Sequence, residues 1–112
     1  MLLLVAALWS CEYETIVPKV VELPDEPVSF ATQVAPMFVD AGCTGCHGSM
    51  GGLDLTLKKS YAGLTNGRVD TANPAESKVI LYINDGHATS GNLTAEQKAF
   101  LLKWIEEGAK DN

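Results

Sequence analysis

Two thiols and an imidazole fall within five consecutive residues, Cys43-Thr44-Gly45-Cys46-His47, and that spacing suits one chemistry above others. Thiols three positions apart on a tight turn can add to the two vinyl groups along one edge of a porphyrin. A histidine directly after the second thiol is then held under the ring with its imidazole aimed at the iron. C-x-x-C-H is accordingly the attachment motif for c-type haem. Gly45, and Gly42 just before the motif, let backbone approach a flat macrocycle closely. Three other uses compete. A thioredoxin-like redox pair requires a βαβ setting, and no strong strand signal precedes Cys43. A zinc site can be assembled from Cys43, Cys46, His47 and His87, although forty residues separate the two histidines where a finger uses a short His-x-His spacing. A disulfide between Cys43 and Cys46 closes too small a loop to add much stability. Covalent haem, attached outside the cytoplasm, is the reading that also uses the rest of the chain.

The elements that must position this motif are helical. Phe30, Val34, Met37 and Phe38 recur at i, i+4, i+7 and i+8, the face of an amphipathic helix with Ser29 as N-cap. Pro36 is expected to kink it or shorten its regular part. Asn73-Pro74-Ala75-Glu76 combines a cap, a proline at the first helical position and an acid, and predicts a helix carrying Val79, Ile80, Tyr82 and Ile83. Thr94-Ala95-Glu96-Gln97 is a capping box. It introduces a helix with Phe100, Leu101, Trp104 and Ile105 on one face and Gly108 as its stop. Glycine-rich connections run from Gly48 to Gly52 and from Gly63 to Gly67, and strand signals are scarce. The expected fold class is all-α with long loops. A core this thin, in an 84-residue unit (Ser29 to Asn112), usually recruits a disulfide, a metal or a cofactor.

Length and charge bound the rest. The 112 residues hold one domain, and 46 % apolar content excludes a fully disordered chain. Fourteen acids against eight bases give a net charge of −6, which excludes an electrostatic nucleic-acid binder. No apolar run approaches the roughly 20 residues of a spanning helix. Five of the acids lie between Glu12 and Val28 against the single Lys19, so the part from Ser29 onward carries nine acids and seven bases, or −2. Residues 1–10, MLLLVAALWS, read as the end of a lipoprotein signal, and Leu8-Trp9-Ser10-Cys11 resembles a lipobox that leaves Cys11 as the acylated residue. Residues 11–28, with Pro18, Pro24 and Pro27, read as an acidic, semi-extended tether. Residues 29–112 form the globular domain.

In that domain, F-x-x-x-V-x-P-M-F precedes the C-x-x-C-H. It is followed in order by G-G-L-D-L, Y-A-G-L, N-P-A-E-S, a G-H segment and L-T-x-E-x…W-I-E-E-G-A. The series, from Phe30 to Ala109, resembles small monohaem cytochrome c domains, often exported lipoproteins of bacteria such as the Bacteroidetes. The resemblance implies the cytochrome c fold, with N- and C-terminal helices crossing beside one covalently attached haem c. It implies thioether attachment at Cys43 and Cys46, and His47 as the proximal iron ligand. Many relatives carry H-M-P before the last helix, with the methionine on iron; here the segment is Gly86-His87-Ala88-Thr89, so Ala88 stands in that methionine's place. His87 is then the leading candidate for the distal ligand. Met50, Met37 and an open iron remain alternatives.

The expected function is single-electron transfer, without catalysis, by a carrier held through a lipid anchor at a membrane surface, in the periplasm or on the outer cell surface. Its partners are redox proteins met transiently. A haem-based ligand-binding or sensor module with an open distal site is the alternative, and a structural zinc or disulfide module a further one. A weak peroxidase needs distal acid–base groups beside an open iron, and Arg68 lies far from His87 in sequence. Trp104 and Tyr61 are candidates for the haem pocket wall, with Trp104 also packing a helix crossing. Lys58 and Lys59 read as solvated surface.

Overall fold

In the computed structural model, which describes residues 20–48 and 52–112, Ser29 opens the first helical segment as its side chain suggests, with Oγ accepting from the Thr32 N–H at 3.3 Å. The segment is not one α-helix. Proline has no N–H to donate one turn back, and the chain absorbs this with a π turn over Phe30–Val34, closed by the Ala35 N–H on the Phe30 carbonyl. Helix α1 then runs over Ala35–Asp40 with Pro36 in its first turn, where a missing donor costs nothing. The expected kink is thus a change of helical register.

Helix α2, Ser60–Thr65, falls where the sequence suggested a connection, and it contains Gly63. Its glycine has a packing reason. A Cβ there would stand 2.8 Å from Leu53 Cδ1 and 3.0 Å from the Asp54 carbonyl oxygen, so the 53–55 segment crosses α2 at this point. The Asn73-Pro74 start is corrected as well. Pro74–Glu76 is a separate 3-10 turn, and Asn73 makes no side-chain cap. Asp70 does the local work instead, its Oδ1 accepting from the Ala72 and Asn73 N–H groups at 2.9 and 3.1 Å. Ser77, at ψ 134°, breaks the run, and its buried hydroxyl accepts from the Asp70 N–H at 2.8 Å. Helix α3 therefore begins at Lys78 and ends at Asn84. It buries Val79, Ile80 and Ile83, while Tyr82, expected on the same face, is 61 % exposed.

Helix α4, Ala95–Glu106, starts at the expected capping box, with the Gln97 N–H on Thr94 Oγ1 at 3.1 Å and the Thr94 N–H on Gln97 Oε1 at 2.9 Å. It buries Leu101, Trp104 and Ile105 and ends two residues before Gly108. The described residues contain helices and turns and no strand.

The core is centred on Phe30, whose ring lies 4.9 Å from Trp104 and 5.2 Å, edge-on, from Tyr61. Burying a large apolar side chain contributes roughly 1.5–3 kcal/mol, and the polar tips here are satisfied. Trp104 Nε1 donates to the Lys110 carbonyl at 2.8 Å and Tyr61 Oη to that of Ala109 at 3.0 Å. Asn112 stitches the two ends of the domain together. Its Oδ1 accepts from the Phe30 N–H and its Nδ2 donates to the Val28 carbonyl, both at 3.0 Å. The segment read as a tether is fastened over its last residues. Lys103 Nζ donates to the carbonyls of Pro24 and Glu26 at 2.5 and 2.7 Å, and the Val28 N–H donates to Glu107 Oε2 at 2.8 Å. The expected signal (residues 1–10), Cys11 and the first part of the tether lie outside the described residues. Lys59 pairs with Asp54 at 3.5 Å on the surface.

Candidate functional site

The C-x-x-C-H residues follow directly on α1. Asn92 Nδ2 donates to the Ala41 carbonyl at 3.0 Å, and Gly42, at φ 81°, turns the chain through a conformation that side chains disfavour. Cys43–Gly45 then forms a 3-10 turn. Two N–H groups close on the Cys43 carbonyl, that of His47 at 2.9 Å and that of Cys46 at 3.3 Å, and the Leu55 N–H returns to the His47 carbonyl at 2.6 Å. That last bond folds the 53–55 segment beside the motif.

Both thiols are free; Cys46 is exposed and Cys43 half-buried, with Cys43 Sγ 3.8 Å from Thr89 Oγ1. Cys43, Cys46, His47 and His87 share the wall of one cavity of about 720 Å³, within the roughly 300–1,000 Å³ of small-molecule and cofactor sites. Phe38, Leu55, Val79, Ile83 and Leu93 make much of the remaining wall apolar. The sequence separation of the two histidines is thus closed by the fold, with ring centroids 6.0 Å apart and planes inclined at 39°. His87 is exposed and packs on Tyr82 at 5.8 Å between centroids, its N–H bonded to the Tyr82 carbonyl at 3.1 Å. It stands between Gly86 at φ 80° and Ala88 at φ 44°. For alanine, the left-handed region costs roughly 1–2 kcal/mol.

Several expected site residues lie elsewhere. Met37 is 2 % exposed in the core and does not line the cavity, so it cannot reach a ligand held there. Met50 lies outside the described residues. Trp104 and Tyr61 belong to the aromatic cluster around Phe30 rather than to the cavity wall; Phe38 and Tyr82 are the aromatics that line it. Arg68, distant in sequence from His87, lines the same cavity, as do Lys78 and the buried Ser90. No local signal marks Arg68, because its arrival depends on how the chain turns between α2 and α3.

His47 Nδ1 and Ser90 Oγ, on two residues of this wall, are buried and have no hydrogen-bond partner among the described residues, a state that costs about 1–3 kcal/mol for each atom. Among the described residues no three His, Cys, Asp or Glu side chains converge as a metal-ion site, so the four donors do not assemble a zinc centre. Their chemistry suits a haem: two thiols and two imidazoles on the wall of one largely apolar cavity, with the imidazole centroids 6.0 Å apart. No protein-family model, curated protein or solved structure matches this chain.

Proposed function

We propose that the domain carries one covalent haem c and transfers single electrons. The observation that supports this most is the pair His47 and His87, 6.0 Å apart on the wall of a largely apolar cavity that also holds both free thiols. The packing of the Phe30 segment on Trp104 of α4 agrees with the helix crossing of a cytochrome c fold. When bound, the haem supplies an iron that gains or loses one electron. Cys43 and Cys46 would hold the haem covalently, each through a thioether formed by addition of its S–H across a vinyl double bond, with nothing lost. His47 and His87 would hold the metal through imidazole nitrogens. The apolar wall of Phe38, Val79 and Ile83 limits water near the metal and lowers the local dielectric. Tyr82 steadies the exposed His87 ring.

With Cys11 acylated, the carrier works at a membrane surface outside the cytoplasm, and confinement near its redox partners replaces tight binding. A Cys11→Ala variant then leaves the membrane fraction. A second reading, a haem module that binds small exogenous ligands, is favoured by one observation: His87 is exposed, on a loop between Gly86 and Ala88 that both hold left-handed backbone. Protein exported through a haem-attachment pathway tests both. Red colour that survives acid–acetone extraction, with a low-spin spectrum lacking the weak far-red band of methionine-ligated ferric iron, is the expected result. A colourless protein refutes the haem reading, and ready binding of carbon monoxide by the wild type transfers the proposal to the ligand-binding module.

A further inference from the structure

Forty residues separate His47 from His87, so the 6.0 Å between their rings depends on whatever ties one loop to the other. Residues 87–93 form a unit of their own. The Ser90 N–H bonds the His87 carbonyl at 2.9 Å and the Leu93 N–H bonds that of Ser90 at 3.1 Å, closing the 3-10 turn Ala88–Asn92. Upstream, the His87 N–H is tied to the Tyr82 carbonyl of α3; downstream, Leu93 is buried in the core. Ala88, at φ 44°, holds a backbone conformation that a non-glycine residue keeps only where its surroundings impose it. Among the described residues, two hydrogen bonds join this unit to residues 41–47. One runs from Asn92 Nδ2 to the Ala41 carbonyl at 3.0 Å; the other is the 3.8 Å contact of Thr89 Oγ1 with Cys43 Sγ. They are unequal. A thiol converted to a thioether has no S–H to give, and its sulfur is a weak acceptor, so haem attachment leaves the Thr89 contact weak. The Asn92 bond is indifferent to attachment. It ends on one of the last carbonyls of α1, which have no partner within the helix, two residues before Cys43.

We propose that Asn92 is a positioning residue for His87. Its amide holds the 87–93 unit on the end of α1 and keeps the two imidazoles together. It thereby decides whether the distal side of the iron is closed by His87 or open to small neutral ligands such as carbon monoxide. The inference rests on the haem reading above, with His87 as the distal ligand, and deepens it. A competing ligand binds only while His87 is away, so its apparent affinity scales with the fraction of molecules in which the site is open. With the amide bond in place that fraction is small; without it, the exposed His87 departs more often. One side-chain bond thus separates an electron carrier, whose ligand set stays fixed, from a ligand-binding module built on the same cavity.

Titration of the reduced holoprotein with carbon monoxide, followed by visible absorbance, tests this. The wild type is low-spin and binds weakly. Asn92→Ala and Asn92→Asp each bind roughly 2- to 12-fold more tightly, the factor that loss of one neutral hydrogen bond gives. The aspartate keeps the shape of the side chain but has no N–H to donate at neutral pH, and it gives the reading if Asn92→Ala does not fold. Tyr61→Phe is the control for stability alone. It removes a bond of the same kind, from the hydroxyl to the Ala109 carbonyl at 3.0 Å, in the Phe30 cluster away from the cavity wall. It lowers the melting temperature and leaves the carbon monoxide affinity at the wild-type value. If Asn92 only caps α1, both Asn92 variants melt earlier with wild-type affinity, and that overturns the proposal. Equal tightening by Tyr61→Phe also overturns it, since any loss of stability would then open the site. A colourless wild type refutes the haem reading and this one with it. A wild type that binds carbon monoxide readily removes His87 from the iron, and this inference falls with that assignment. A red, low-spin wild type with unmoved Asn92 variants refutes this one alone.

Discussion

Alanine at position 63 sets two ordinary effects against each other. Taken as an isolated helix, α2 gains about 1 kcal/mol from replacing an interior glycine. In the folded chain the added Cβ meets Leu53 Cδ1 at 2.8 Å and the Asp54 carbonyl oxygen at 3.0 Å. The leucine methyl can swing aside. The carbonyl belongs to backbone held one residue later by the 2.6 Å bond from the Leu55 N–H to His47, so it yields only by straining the turn behind the C-x-x-C-H. Overpacking of this kind costs about 1–3 kcal/mol, and the balance is a net loss of about 1 kcal/mol. For a domain of this size that lowers the melting temperature by about 4–8 °C, measured by calorimetry on holoprotein. Leu53 also lines the cavity, so the visible spectrum of Gly63→Ala shifts as well. A variant more stable than wild type by about 1 kcal/mol, with an unaltered spectrum, refutes the reasoning: helix propensity would have won, and the 53–55 segment would not lie on α2.

Cys43→Ala and Cys46→Ala each lower the yield of holoprotein, and His47→Ala changes the spectrum most; three unchanged spectra after export refute the motif assignment. His87→Ala opens the iron to added imidazole, read by optical titration, and an intact low-spin spectrum in that variant sinks the assignment of His87. Thr94→Ala removes half of the capping box and costs about 1 kcal/mol, seen as a lower midpoint in urea. Acid stability follows the carboxylates. The Thr56 hydroxyl and N–H, with Lys59, hold Asp54 below the ordinary range, and the Asn73 and Ala72 N–H groups do the same for Asp70. A carboxylate depressed in the folded state stabilises it above its unfolded pKa of about 3.9, and that contribution is lost as the pH falls through the folded value. Melting temperatures between about pH 2 and 5 should therefore fall less steeply with acid in Asp70→Asn than in the wild type.

What could be read from the chain in advance was local. The Thr94 box and the Ser29 cap are closed by residues three positions on, so their bonds are written in adjacent letters. Pro36 announced a disturbance but not its form, because a π turn and a kink both answer the same missing donor. The Asn73-Pro74 start was misread because Ser77 turns its hydroxyl back to Asp70, a bond that competes with continuing the helix. Helix α2 went unnoticed since Ser, Gly and Thr disfavour helix; burial of Leu64 and the crossing at Gly63 hold it. For the site, Cys43, Cys46 and His47 stood out as one motif, and His87, chosen by position along the chain, lines the same cavity. Arg68 and Lys78 were invisible as cavity residues because the turn between α2 and α3 sets where they arrive. Trp104 and Tyr61 were given to the pocket because periodicity tells which face of a helix is buried, not which side of the core it meets.

The grip of Lys103 and Glu107 on residues 24–28 has a mechanical consequence. A force applied through the chain before Val20 enters the domain at the last turn of α4, through two backbone carbonyls and one N–H, and passes into the Phe30–Trp104 cluster. The cavity wall is built from the Cys43–His47 turn, α3, residues 87–93 and Phe38 of α1, none of which these three bonds touch. A pull on this segment is thus taken up by the last turn of α4, the helix farthest in sequence from the C-x-x-C-H motif.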